Sequence, residues 1–252
     1  RMQRQHIITL FLSFTCLQQT VIGSVIVNGH RVQDNAMQYM ASVQNYVGHM
    51  CGGFLVSDNF VLTAAHCYDS QPIRVVLGNH NLRNPQNRQI IDIDKRFRHP
   101  SYKGVSTGND LMLLKLKKSP VLGHGVKILQ LPSMNMNVKV HDLCQVVGWG
   151  ATKSGGASSN DLLAANVSII DITTCSNAWG GLPDNVICAG GYITNRGFCQ
   201  GDSGGPLVCK NTAVGIVSFN KNRNCNYEND VPNVFVDVSK YIDWILKTII
   251  FN

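Results

Sequence analysis

The chain has 252 residues, 44% of them hydrophobic and only 15% charged. That length suits one large all-β domain or two small ones, and the composition excludes a disordered polypeptide. The formal charge is +7, but basic residues are hardly interleaved with aromatic ones, which argues against nucleic-acid binding.

From the start of the chain, Arg1 and Arg4 precede an apolar run over residues 7–12, extended by Phe14 and Leu17. Residues 1–23 are therefore predicted to be a secretory signal. The run is shorter than the roughly 20 residues that span a bilayer, and no later stretch is long and apolar enough either, so no membrane anchor is expected. Ser24-Val25 lies between this segment and Ile26. Loss of Arg1 and Arg4 leaves a charge of +5.

Short runs rich in Val, Ile and Leu then recur at 60–63, 74–77, 90–93, 111–116, 144–147, 166–170, 206–208, 213–219 and 233–238. Separated by turn residues, they predict an all-β sandwich or barrel. Val238, Tyr241, Ile242, Ile245, Leu246 and Ile249 follow at helical spacing, predicting a C-terminal amphipathic helix that packs on the β-structure.

Cysteines number nine. Cys16 falls in the signal, and an even eight remain: Cys51, Cys67, Cys144, Cys175, Cys188, Cys199, Cys209 and Cys225. In an exported chain such a set predicts disulfides. Zinc is the weaker alternative, since no C-x-x-C pair occurs, and no metal or cofactor is expected.

Three segments carry chemistry. In Gly201-Asp202-Ser203-Gly204-Gly205-Pro206, glycines leave a serine with little steric cover and permit tight backbone around it. In Thr63-Ala64-Ala65-His66-Cys67, small neighbours leave room for the His66 ring to reach out. In Asn109-Asp110-Leu111-Met112-Leu113-Leu114, an aspartate heads a strongly apolar strand and needs a partner once buried. A histidine N–H would serve. Asp92 and Asp94 alternate with apolar residues and are expected to face solvent. His6, His30, His49, His80, His99, His124 and His141 lack the setting of His66 and are read as structural.

The order His66, Asp110, Ser203, with these three motifs at their spacing, resembles the trypsin/chymotrypsin family of serine proteases over nearly all of residues 26–252. The resemblance implies two six-stranded antiparallel β-barrels with a C-terminal α-helix and the active site between the barrels. It implies an acyl-enzyme mechanism in which Ser203 attacks, His66 is the base and Asp110 orients it. Gly201 and Ser203 N–H groups would form the oxyanion hole. The family's bridges map to Cys51–Cys67, Cys144–Cys209, Cys175–Cys188 and Cys199–Cys225.

Further expectations follow from the same resemblance. Ile26-Val27-Asn28-Gly29 is similar to the new N-terminus of these enzymes, whose α-amino group would pair with Asp202. No Arg or Lys precedes Ile26, so the dipeptide Ser24-Val25 is similar to that of granzymes, mast-cell proteases and neutrophil elastase, where a dipeptidyl peptidase removes it. Gly197 occupies the base of the primary specificity pocket, where trypsin-like members carry Asp, which argues against cleavage after Lys or Arg. With Phe198, Ser218, Asn220 and Asn233 around it, a shallow pocket for small or medium uncharged residues is expected. No acidic residue lies in the loop 79–89, so calcium is not expected. Asn166-Val167-Ser168 is a glycosylation sequon in a predicted strand.

The expected product is a secreted, monomeric peptidase acting on proteins and peptides, stored in granules and controlled by serpin-type inhibitors. The clusters Lys95-Arg96-Phe97-Arg98-His99 and Lys115/Lys117/Lys118, with Lys221 and Arg223, would also suit an acidic proteoglycan. The alternative function is a glycan- or microbe-binding protein with little proteolysis.

Overall fold

A computed structural model describes residues 29–227 and 231–252. The expected signal, the dipeptide 24–25 and Ile26 lie outside the described residues.

The chain forms two barrels. Strand β1 (His30–Arg31) is a short edge piece. The first barrel comprises β2 (Met40–Gln44), β3 (His49–Leu55), β4 (Phe60–Thr63), β5 (Arg74–Leu77), β6 (Gln89–Arg98) and β7 (Met112–Leu116). They close in the order β2-β3-β4-β7-β6-β5, every pair antiparallel. The second comprises β8 (Leu143–Gly148), β9 (Leu163–Ile170), β10 (Val186–Ala189), β11 (Pro206–Cys209), β12 (Thr212–Phe219) and β13 (Asn233–Asp237). Its antiparallel ring runs β8-β9-β10-β13-β12-β11 and closes through β11 on β8, with β1 paired to β9. This is the expected all-β, chymotrypsin-like architecture.

Patterning explains the barrels. β4 is buried at every position, as an unbroken apolar run requires. In β6, Ile91 and Ile93 point inward while Asp92 and Asp94 face water. Phe54, Phe60, Leu62, Leu77 and Leu113 fill the first barrel, and Val146, Leu163, Leu207 and Phe235 the second. Fully burying one such side chain contributes roughly 1.5–3 kcal/mol.

Among the described residues two α-helices accompany them. Helix α1 (Ile172–Trp179) starts at Asp171, whose carboxylate accepts the N–H of Thr174 at 2.9 Å, and stops at Gly180 with φ 71°. Helix α2 (Ile242–Ile250) is the expected C-terminal helix; Ile242 and Ile245 pack onto the first barrel's core. Leu246, placed on the same face by spacing, is 45% exposed, at the rim of the contact. No helix among the described residues is long and apolar enough to cross a membrane.

Among the described residues four disulfides are present: Cys51–Cys67, Cys144–Cys209, Cys175–Cys188 and Cys199–Cys225.

Candidate functional site

The end of β4 and the start of β7 are hydrogen-bonded neighbours, Thr63 facing Met112. The residues just past them, His66 and Asp110, are therefore brought together from 44 positions apart. Asp110 is buried, and its Oδ1 accepts the His66 backbone N–H at 2.9 Å. Its Oδ2 lies 2.8 Å from His66 Nδ1 and accepts the Ser218 hydroxyl at 2.5 Å. Burial pushes this carboxyl up, but the His66 hydrogen bond and charge, with Ser218, outweigh it and hold the pKa below the ordinary value. Against an ionised carboxylate, Nδ1 carries the proton, which leaves Nε2 as the basic nitrogen.

Ser203 comes from the second barrel and seats on the first. Its carbonyl accepts the Gly52 N–H at 2.8 Å, and Cys67 Sγ lies 3.7 Å from the same oxygen. Gly204, at φ 79°, makes the approach possible. A Cβ there would overlap Thr63 Oγ1 and lie 2.7 Å from Gly52 O and 2.8 Å from Ala64 N. The serine segment thus rests on the stretch that carries His66.

Cys51 and Cys67 sulfurs lie within 4.8 Å of a His66 ring nitrogen. They are joined in a disulfide and offer no thiolate to a metal. In the loop 79–89, Asn79 Nδ2 donates to the carbonyl of Gln86 at 2.8 Å.

Asp202 is fully buried. It accepts N–H groups from Gly150 at 2.7 Å and Cys199 at 2.9 Å, and meets no cation among the described residues. Burial pushes its carboxyl up to about 7 despite both bonds. A Cβ at Gly148 or Gly150 would overlap this carboxylate, which explains the Gly-Trp-Gly spacing in that segment.

His49 carries more than a structural role suggests. Its Nε2 lies 3.0 Å from the Gly201 carbonyl and its Nδ1 2.8 Å from Ser42 Oγ. Burial lowers its pKa to about 4, with the Gly201 bond opposing, so the ring is neutral at pH 7. A neutral ring facing a carbonyl donates from Nε2, and Nδ1 accepts from Ser42. Gln44 Nε2 donates in turn to Ser42 Oγ at 3.1 Å, and Arg74 Nε donates to Gln44 Oε1 at 3.2 Å. One polarised chain runs from Arg74 to the Gly201 peptide. Sequence reasoning missed it because Gly201 is 152 positions from His49.

The specificity-pocket residues do not all stay together. Phe198 turns into the second barrel's core and stacks edge-on to Phe235 at 5.3 Å. The Ser218 hydroxyl serves Asp110 rather than the pocket. Gly197, Asn220 and Asn233 do converge. Asn233 Oδ1 accepts the Phe198 N–H at 3.4 Å, and Asn220 Nδ2 donates to the Phe198 carbonyl at 3.4 Å. A residue not anticipated joins them. Tyr227 is 7% exposed and its hydroxyl donates to the Phe198 carbonyl. Burial pushes its phenol up, so it remains a neutral donor. A Cβ at Gly197 would lie 2.6 Å from both Tyr227 Cζ and its hydroxyl. The space left beside Tyr227 and Asn233 is about 20 Å³, close to what one water needs.

Asn166 sits within β9, its Oδ1 accepting from Gln145 Nε2 across the strand pair at 3.0 Å. The basic runs meet on the first barrel, where Lys95 and Lys115 are cross-strand partners.

A family model described as Trypsin matches residues 26–245. The chain is 40% identical to granzyme B of Rattus norvegicus over 249 residues, spanning 96% of this chain and 98% of that one. It is 39% identical to chymotrypsin-like elastase family member 1 of Macaca fascicularis over 228 residues, 86% of this chain and 84% of the relative. A solved structure of a mutant human heparin binding protein superposes with a TM-score of 0.80 at 35% identity, covering 90% of this chain and 98% of that one.

Proposed function

The chain belongs to the trypsin family of serine proteases, and from that premise we propose that it is a secreted endopeptidase cleaving after small or medium uncharged residues. Ser203 attacks the scissile carbonyl, and His66 Nε2 takes its proton and returns it to the leaving amine. Asp110 holds the imidazole in that tautomer and stabilises the imidazolium. The N–H groups of Gly201 and Ser203 hold the oxyanion, each donor contributing roughly 3 kcal/mol. The observation that carries this reading is the His66–Asp110 pair at 2.8 Å with the Ser203 segment seated beside it. Asp202 awaits the α-amino group of Ile26, freed when a dipeptidyl peptidase removes Ser24-Val25. Likeness to granzyme B and the apolar run 7–12 support export and granule storage, where serpin-type inhibitors would control the enzyme.

Tyr227 and Asn233 support the small-residue preference, because they fill the space above Gly197 that a long side chain would need. A peptide-library profile is expected to show cleavage after Ala, Ser or Val; dominant cleavage after Arg, Lys or Tyr would end the reading. Tyr227→Ala opens the slot, and cleavage after Leu or Phe is expected to rise at least about tenfold.

A second reading, binding of an acidic proteoglycan, is favoured by the likeness to human heparin binding protein and by the merged basic face at Lys95 and Lys115. Retention of Ser203→Ala protein on a heparin column at 0.15 M salt supports it, and passage straight through at that salt removes it.

A further inference from the structure

Beside His49, whose ring bonds the Gly201 carbonyl, lies a cleft of about 480 Å³. Gly48, His49, Ser158, Arg74, Arg83 and Arg88 are among the residues that line it. None of its lining residues carries a carboxylate, and none lines the small cavity beside Tyr227. Gly201 adjoins residues that line the larger cleft. His49 bonds its carbonyl, and Ser158 Oγ would lie 2.9 Å from a Cβ placed on it.

Among the described residues, no salt bridge engages any of the three arginines. The nearby Asp161 is taken by Arg31, 3.2 Å away, and by Asn81, and Asp92, the cross-strand partner of Arg74, pairs with Lys117 at 3.3 Å. Arg83 and Arg88 are exposed; Arg74 is held in place by Gln44. Three cations converging on one cleft, with the local carboxylates already paired, form a site for negative charge.

We propose that this cleft binds acidic side chains of the polypeptide substrate on the leaving-group side of the cleaved bond. The inference rests on the peptidase reading above. A peptide whose residue before the bond occupies the slot by Gly197, and whose carbonyl meets Gly201, continues past Gly201 toward His49 and the arginines. The second to fourth residues after the bond, each advancing about 3.3 Å when extended, are the ones assigned to them. Arginine's planar fork suits a carboxylate in two-point contact. A peptide is favoured over a glycan here because His49, which lines the cleft, bonds the carbonyl of Gly201, two residues before Ser203.

The test compares two peptides identical up to the cleaved bond, with Glu or Gln at the second to fourth positions after it. Rates are read per active site, counted by inhibitor titration. The kcat/KM ratio of Glu over Gln peptide is expected to be about ten (about 1.4 kcal/mol) at low salt. It falls toward one in 1 M salt, where screening acts within about 3 Å. In Arg83→Gln/Arg88→Gln it is near one, and in Arg83→Lys/Arg88→Lys most of it returns. A wild-type ratio near one, in an enzyme that cleaves both peptides, overturns this inference and leaves the peptidase reading intact. So does a ratio of ten that survives the glutamine variant. A ratio near one with a heparin fragment bound by wild type but not by that variant assigns the cleft to a glycan instead. Failure to cleave either peptide or to react with the inhibitor overturns the peptidase reading itself.

Discussion

Asp110→Asn is expected to lower kcat by about four orders of magnitude while leaving the protein folded. The aspartate accepts three hydrogen bonds, from the His66 backbone, His66 Nδ1 and Ser218. An asparagine offers one oxygen and one NH2. If its oxygen keeps the His66 backbone N–H, its NH2 faces Nδ1 and the ring proton must move to Nε2. That nitrogen can then no longer take the Ser203 proton. Steady-state kinetics with a small-residue ester, alongside a melting curve, checks this. A variant with near-normal kcat would show that Asp110 has no orienting part.

The second large effect lies at Asp202. A chain that keeps Ser24-Val25 is expected to show kcat/KM lower by about 10²–10³ than one beginning at Ile26, the size of a lost oxyanion-hole donor. The cause is a buried carboxyl without a cation. Its pKa is about 7 in the fold against 3.8 ordinarily. The folded state therefore holds more protons than the unfolded one between those values, and stability falls as pH rises from about 4 to about 7. At full deprotonation the penalty is on the order of 4 kcal/mol. An α-amino group at Ile26 would neutralise the carboxylate and remove that slope. His49 works in the opposite sense: its lowered pKa costs stability as pH drops from 6.5 toward about 4. Melting temperatures of both forms at pH 4.5 and 7.5 separate the contributions. The gap between the two melting temperatures is expected to widen toward pH 7.5, with the dipeptide form the lower, because the His49 contribution is common to both. Equal activity and equal pH dependence in the two forms would remove the Ile26–Asp202 pair from the account.

Much of this was readable from local sequence. Apolar strands such as β4 and β7 announce themselves, and His66, Asp110 and Ser203 stand in motifs whose neighbours are small or strongly apolar. β3 did not, because His49, Cys51, Gly52 and Gly53 break its alternation, although Gly52 is the glycine on which Ser203 docks. Helix α1 was hidden by Thr, Ser and Asn, weak helix formers, with only the cap pair Asp171 and Gly180 to betray it. The specificity slot was the least legible part. The direction of Phe198 is set by Phe235 from another strand, and Tyr227 reaches Gly197 only through the folding back of its loop. His49 was passed over for the same reason: its meaning lies in a carbonyl contributed by the other barrel.

The most direct test of the account is covalent titration of the chain starting at Ile26 with a fluorophosphonate, followed by peptide mapping. The account predicts one label per molecule, on Ser203, with loss of peptidase activity in proportion, and no label on Ser203→Ala or on denatured protein. Peptidase activity that survives full labelling, or a label on another residue that persists in Ser203→Ala, would contradict it.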